Sequence, residues 1–362
     1  MIKILYDHQM FSMQKYGGVT RYFADLIYNL PQDFEKDVAM KYSENHYITK
    51  TYNQKFRTID SLQNFRVKRR LYYFINNQVS LKAIKKSDYD VFHPTYYNPY
   101  FIKHIKKPFV VTIHDMIHER FADTFPFYDN IAKNKKILAN KAAHIIAVSQ
   151  NTKNDIVEYY GINPDKITVV HHGCKQQVEL VEQLYENYIL YVGERKSYKN
   201  FIQFLEAIVP LLHADKTLKI VCTGSSFTKE EINLFQKHSI SNQLIHVLAS
   251  DTILYSLYQH ALVFVFPSLY EGFGIPILEA FANNCPVCLS NASCFPEIAQ
   301  DAAQYFDPKD KQSIFNAINL VISNSEFRSS LIFKGKEKIK NFTTEKMVKN
   351  TCVVYNSLLD NI

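Results

Sequence analysis

The chain has 362 residues, 47% apolar and 21% charged. That balance describes an ordinary folded protein and excludes a fibre or a disordered segment, and the length favours two domains. The formal net charge of +7 is uneven: residues 1–178 carry 26 Lys/Arg against 16 Asp/Glu, residues 179–362 carry 16 against 19.

The basic first half expects an anionic environment, such as a membrane surface or a phosphorylated lipid acceptor. Its densest patch is Arg66-Val-Lys68-Arg69-Arg70-Leu-Tyr-Tyr-Phe74, which also reads as a solvated helix face. Nucleic acid is not expected, because no reader motif or sustained basic repeat is present. Four of the six cysteines (Cys174, Cys222, Cys285, Cys288, Cys294 and Cys352) lie in or beside apolar runs, as reduced buried thiols do. Cys285 and Cys288 have C-x-x-C spacing, but Pro286-Val287 between them sits in a strand-like run. The start, Met1-Ile-Lys-Ile-Leu-Tyr6, is too short for a signal peptide's apolar region. No run approaches the roughly 20 apolar residues that cross a bilayer. The expectation is a cytoplasmic protein, with peripheral contact at the inner face of the membrane.

In chain order, the first half predicts a strand at 2–6, a Gly17-Gly18 loop and a helix over 20–30. Strands follow at 91–92, 109–113, 145–148 and 168–170, with helices around 130–143 and 150–160. Such alternation indicates a mostly parallel sheet covered on both faces. After the polar stretch 175–187 the pattern restarts with a strand at 188–192 and a helix over 200–211. Further strands are predicted at 218–222, 245–248, 262–266 and 286–289, and helices at about 310–322, 325–340 and 344–358. Two doubly wound domains facing one another would leave a cleft at the carboxyl ends of their strands.

The residues that carry chemistry cluster at those strand ends. In Val192-Gly193-Glu194-Arg195-Lys196-Ser197-Tyr198-Lys199-Asn200, Arg195 offers a fixed fork to phosphate oxygens and Lys199 a mobile positive charge. Together they suit a diphosphate and the charge that develops as it leaves. Thr223-Gly224-Ser225-Ser226 forms a turn after another strand. In Glu271-Gly272-Phe273-Gly274-Ile-Pro276-Ile-Leu-Glu279, two glycines permit a tight turn, and Pro276 suits the first helical position. The helix amides then face an anion. Glu279, expected in the first turn, would accept ribose hydroxyls, and Glu271 would face hydroxyls of a transferred sugar. Stabilisation of the helix start explains Glu279 alone.

In the first half, the Gly17 and Gly18 amides can approach a diphosphate or reacting sugar, although a glycine pair also makes an ordinary turn. His114-Asp115 follows an apolar run; His114 reads as a sugar or acceptor contact, or as a satisfied structural histidine. His118 and Glu119 are candidates for the acceptor side. His171-His172-Gly173-Cys174 reads as a strand-end turn rather than a zinc site, since adjacent side chains after a strand point apart. No G-x-S-x-G elbow supports Ser149 or Ser268 as a nucleophile.

Taken in order, Tyr16-Gly17-Gly18-Val19-Thr20-Arg21, Ile113-His114-Asp115, Val148-Ser149, the 193–200 segment and Pro267-Ser268-Leu269-Tyr270-Glu271-Gly272-Phe273-Gly274 span almost the whole chain. With Pro276 and Glu279-Ala280, they resemble the retaining GT-B glycosyltransferases of family 4, which include bacterial lipopolysaccharide and capsule mannosyltransferases. Asn284-Cys285-Pro286 departs from the small glycine-containing turn often found there.

The resemblance implies an α/β GT-B fold of two Rossmann-like domains facing across a cleft. The acceptor domain would be 1–178, the nucleotide-sugar domain 179–345, and a final helix, 346–362, would return to the first domain. It implies diphosphate contacts from Arg195 and Lys199, ribose on Glu279, donor sugar on Glu271, and Gly18 near the donor. His114 would lie close to the transferred sugar. The implied reaction moves a hexose, most simply mannose from GDP-mannose, to a saccharide or lipid-linked oligosaccharide with retention and without an essential metal. UDP-glucose, UDP-galactose or an N-acetylhexosamine donor would use the same machinery, and a noncatalytic nucleotide-sugar sensor is the rival from another class.

Overall fold

The computed structural model describes all residues except 52–55, 59–63, 127, 175–179, 196 and 360–362, and the side chains of residues 50, 51, 65 and 66. Lys196 and the Arg66 side chain, both part of the expectations above, lie outside the described residues. The chain divides into two compact units: the first is Met1–Gly173 with Thr344–Ile362, the second Cys174–Thr343.

The first unit contains strands β1 (Ile2–Tyr6), β2 (Phe34–Val38), β3 (Val91–His93), β4 (Val110–Ile113), β5 (His144–Ala147) and β6 (Ile167–Val169). They form two parallel three-stranded sheets, β2-β1-β3 and β4-β5-β6, linked by a parallel bridge between Phe92 and Phe109. β3 and β4 are buried along their whole length, which is why they read as short apolar runs. β2 was not expected. Its sequence, Phe-Glu-Lys-Asp-Val, pairs only with β1 and buries only its two end residues.

The helix Phe65–Lys86 packs through Tyr72, Asn76, Ser80 and Ile84, spaced four apart and all buried. Asn76 accepts from the Lys41 and Tyr42 amides at 2.9 and 3.0 Å and donates to Ser12 Oγ at 2.8 Å. The C-terminal helix Thr344–Ser357 packs against the helix Gly18–Asn29. The Tyr355 hydroxyl lies 2.7 Å from His93 Nδ1 and 2.9 Å from the Tyr6 hydroxyl, while His93 Nε2 meets Thr112 Oγ1 at 2.9 Å. This buried chain satisfies polar atoms that would otherwise be costly in a core.

The second unit is a single six-stranded parallel sheet of β7 (Tyr188–Tyr191), β8 (Lys219–Cys222), β9 (Leu244–His246), β10 (Val263–Phe266), β11 (Val287–Ser290) and β12 (Gln304–Phe306). The order β12-β11-β10-β7-β8-β9 places the first strand centrally. Chain order reverses between β7 and β10, where a doubly wound sheet opens a crevice at its carboxyl edge. β12, a three-residue edge strand, was also not expected.

Burial pushes His8 down to about 4 and His93 to about 3, from an ordinary value of 6.5. Both are therefore neutral when folded, whereas the unfolded chain protonates them below about pH 6.5. Their contribution is complete above that pH. It declines by about 1.4 kcal/mol per pH unit per histidine as pH falls towards the folded values. The melting temperature should accordingly drop between pH 7 and pH 5, and by less in His8→Asn. An equal drop in that variant would contradict the assignment for His8.

Candidate functional site

At the β7/β10 reversal, two loops leave the sheet in diverging directions. Gly193, with φ of +115°, turns the chain directly after β7. Gly224 follows β8 with φ of +96°, and a Cβ there would meet the Gly193 carbonyl oxygen at 2.5 Å. Backbone packs on backbone at this point, so Gly224 has a structural reason to be glycine that the sequence reading did not contain.

Arg195 lies in the loop after β7 with its side chain 4% exposed. Its Nε donates to Glu231 Oε1 at 2.7 Å, and its other nitrogens donate to the Thr223 and Ser226 carbonyls at 3.3 and 3.1 Å. The guanidinium also lies 4.8 Å from the centre of the Phe227 ring. Glu231 itself completes the capping box of the helix Lys229–Lys237 with Thr228. Arg195 thus fastens the loop after β7 to the loop and helix after β8. No sequence signal marked Glu231 as its partner, since the two are 36 positions apart.

Lys199 ends a short turn, Ser197–Lys199, and its Nζ lies 2.6 Å from Glu271 Oε1. Both side chains are largely buried, at 18% and 12% exposure. The Leu269 amide donates to the Tyr198 carbonyl at 2.8 Å, which ties the loops after β7 and β10 together. Glu271 is anchored by its amide, which donates to Ser293 Oγ at 3.2 Å, and by its carbonyl, which accepts from Cys294 Sγ at 3.3 Å. Gly272, Phe273 and Gly274 are buried behind it. Gly274, with φ of +89°, is the residue before the helix Ile275–Ala282. That helix start has no side-chain cap and no acid in its first turn, and it follows β10 at the carboxyl edge of the sheet.

Glu279 is the fifth residue of this helix and so lies in its second turn, not the first as expected, because the helix begins at Ile275. Helix-start stabilisation therefore does not explain it. Its Oε2 accepts from the buried Tyr258 hydroxyl at 3.3 Å, and its side chain remains partly exposed. The second unit therefore brings together Lys199, Glu271 and the uncapped helix start at one strand reversal, with Arg195 and Gly224 bracing the adjoining loop.

In the first unit, Gly17 is extended and Gly18 opens the helix Gly18–Asn29, which also lacks a side-chain cap. His114 follows β4. Both its ring nitrogens are buried without a hydrogen-bond partner, and burial together with neighbouring His93 and Lys135 pushes it down to about 3. The ring stacks on His172 at 5.7 Å and meets the edge of Tyr22 at 5.2 Å. A neutral imidazole with unanswered nitrogens is suited to hydrogen bonding rather than to carrying a proton charge.

Asp115 accepts from the Ile117 amide at 3.0 Å and lies 3.7 Å from the fully buried Lys135. Glu119, a candidate for the acceptor side, is turned inward: Lys135 Nζ lies 3.0 Å away and the Tyr160 hydroxyl donates to it. His118 stacks on Phe125 and faces Asp129 at 3.5 Å. Ser149 caps the helix Gln150–Tyr160 by accepting from the Thr152 amide. Among the described residues no cluster of His, Cys, Asp and Glu has the form of a metal site.

Comparison with known proteins matches two family models to this chain: Glycosyltransferase Family 4 over residues 16–177 and Glycosyl transferases group 1 over residues 175–338. An O-antigen chain mannosyltransferase of Salmonella typhimurium is 28% identical over 210 residues, 58% of this chain and 59% of that protein. O-antigen chain mannosyltransferase B of Escherichia coli is 25% identical over 75% of each chain. A crystal structure of a glycosyltransferase from Rickettsia africae superposes with a TM-score of 0.75 at 18% identity, covering 100% of this chain and 99% of that one. Two doubly wound units with this match define the GT-B glycosyltransferase fold. The chain belongs to glycosyltransferase family 4, and resembles its lipopolysaccharide and capsule mannosyltransferases.

The contrast between the two cations is measurable. Arg195→Ala leaves Glu231 buried without its partner and should lower stability by about 3 kcal/mol. Lys199→Ala also strips a largely buried carboxylate of its cation, but it breaks one contact rather than a clamp on several carbonyls, and should cost less, about 1–2 kcal/mol. Denaturant unfolding of both variants checks this, and an equal loss would contradict the bracing role of Arg195.

Proposed function

We propose that this chain is a retaining hexosyltransferase that takes mannose from GDP-mannose to a saccharide or lipid-linked saccharide in surface-polysaccharide synthesis. The observation that carries the donor site is the meeting of Lys199, Glu271 and the uncapped start of Ile275–Ala282 at the β7/β10 reversal. The mannose assignment is supported by the names of the two O-antigen relatives.

In this reading Lys199 and the helix amides take the diphosphate, and Arg195 holds the loop that presents Lys199. Gly224, Gly272, Phe273 and Gly274 shape the walls, with Glu279 accepting from ribose hydroxyls and Glu271 from the sugar. Gly17, Gly18 and His114 of the first unit serve the transferred sugar, His114 through a neutral ring nitrogen. The anomeric carbon–oxygen bond to phosphate breaks with its electron pair on the leaving phosphate oxygen. A bond from the acceptor oxygen forms on the same face of the sugar, and the acceptor proton passes to that phosphate oxygen. Lys199 and the helix dipole offset the developing charge, so no essential metal is invoked.

The test offers GDP-mannose, UDP-glucose, UDP-galactose and UDP-N-acetylglucosamine with saccharide and lipid-linked acceptors, with products read by mass spectrometry and NMR. An axial-to-axial mannoside from GDP-mannose is expected. Transfer from a UDP-sugar alone would overturn the donor assignment, and donor binding without any transfer would favour a sensor. Glu271→Ala removes the sugar contact while releasing Lys199. It should cut turnover about 10- to 100-fold while leaving free-nucleotide affinity equal or higher. A parallel loss of both would count against this division of roles.

Association with an anionic membrane belongs to the same proposal. Val67, Leu71 and Phe74 are exposed along one stripe of Phe65–Lys86, with Arg70 beside them. Lys68, expected to contribute, instead pairs with Glu44 at 2.8 Å. Among the described residues no helix is long and apolar enough to cross a membrane. Replacing Leu71 and Phe74 by Ser should reduce co-sedimentation with phosphatidylglycerol-containing vesicles several-fold. Unchanged sedimentation would remove this surface from the reading.

A further inference from the structure

The first unit has its own reversal of strand order, between β1 and β3, and a cavity of about 430 Å³ lies at that edge. Gln9 follows β1, Tyr96 and Asn98 follow β3, and the helix Phe65–Lys86 contributes Arg69, Arg70 and Tyr73. Its volume lies in the range of small-molecule sites, and its placement repeats the rule that ligands sit where strand order reverses.

The polar wall is held in a fixed arrangement. Buried Asp7 accepts from Gln9 Nε2 at 2.8 Å, from the Thr95 amide at 2.8 Å and from the Tyr100 hydroxyl at 3.1 Å. Gln9 Oε1 in turn accepts from the Asn98 amide at 2.8 Å, and Asn98 Nδ2 donates to the Tyr73 hydroxyl oxygen at 2.7 Å. Tyr73 therefore keeps its own proton to give. Amides and a hydroxyl beside the rings of Tyr73 and Tyr96 offer hydrogen bonds and apolar faces together, which is the chemistry a pyranose ring requires.

Charge adds a second requirement. Arg69 and Arg70 both line the cavity, and among the described residues neither has a carboxylate partner. Lys68, next to them, is already neutralised by Glu44. Among the described residues no acidic side chain lines the cavity, and the buried Asp7 beside it has its oxygens occupied. Two adjacent guanidinium groups match a dianion, and their forks fit phosphate oxygens.

We propose that this cavity binds the phosphate-bearing end of a saccharide, so that the acceptor is a sugar phosphate or glycosyl phosphate rather than a neutral glycan. Calling it the acceptor rests on the glycosyltransferase reading; the binding itself does not. The β1/β3 reversal supplies the sugar contacts and the helix Phe65–Lys86 supplies the countercharge.

The test is direct calorimetric titration of the full chain, independent of turnover, with a hexose 1-phosphate, the matching methyl hexoside and inorganic phosphate. Three proteins are compared: the unaltered chain, R69Q/R70Q and Lys199→Ala. The hexose 1-phosphate should bind at least about tenfold more tightly than either fragment, and R69Q/R70Q should lose about tenfold or more of that affinity. Both arginines are exposed, so the double variant should keep its melting temperature. Lys199→Ala should keep the arginine-dependent binding, whatever share of the sugar phosphate the second unit also takes. Equal affinity for the methyl hexoside would overturn the phosphate requirement, and equal affinity for inorganic phosphate would overturn the saccharide requirement. Loss in Lys199→Ala but not in R69Q/R70Q would place the anion in the second unit and sink the proposal. If no donor supports transfer yet R69Q/R70Q loses binding, the cavity assignment stands and the transferase reading falls.

Discussion

The parallel pairing of β7 with β10, Ile189 against Val263 and Leu190 against Phe264, is the constraint on which the candidate donor site depends. Crossovers carry the chain from β7 towards β8 on one side, and from β10 towards β11 on the other. The two loops must therefore part at the carboxyl edge. Every side chain of the site follows from that parting. Lys199 arrives from one loop and Glu271 from the other, and they meet because the strands beneath them are neighbours.

The electrostatics share one design. Each buried or half-buried cation of the second unit's site already has a carboxylate: Arg195 has Glu231, and Lys199 has Glu271. Desolvating either charge alone would be expensive, so pairing is what allows them to sit at the edge of a core. The pairs differ in consequence. Glu231 belongs to a helix cap, and its bond to Arg195 is part of the scaffold. Glu271 belongs to a glycine turn, and its bond to Lys199 joins two groups that both face ligand in the proposed reaction.

Much of this was legible in the sequence because the central strands are buried on both faces and read as uninterrupted apolar runs, as at 188–191 and 263–266. The glycines after them announced where backbone must turn. Edge strands escaped notice. Phe34–Val38 carries three charged residues, and Gln304–Phe306 is too short to show a pattern. The register of Glu279 was missed because the helix starts one residue before Pro276. The partners of Arg195, Lys68 and Glu119 were invisible for a simpler reason: pairing across 16 to 41 positions is set by folding, not by local spacing. The cavity beside Arg69 and Arg70 draws on four separate stretches of the first unit, of which the basic–aromatic patch 66–74 alone stands out in the sequence.

The chain leaves the first unit after Gly173 and re-enters it at Thr344, so the second unit is an insertion, not a tail. Its two ends are adjacent: the Cys174 amide donates to the Phe342 carbonyl at 2.9 Å. Recombination among relatives thus faces a particular rule. The second unit can be exchanged as a closed loop with two junctions one hydrogen bond apart, whereas a single crossover point would strip the first unit of Tyr355 and the buried chain that ends on it.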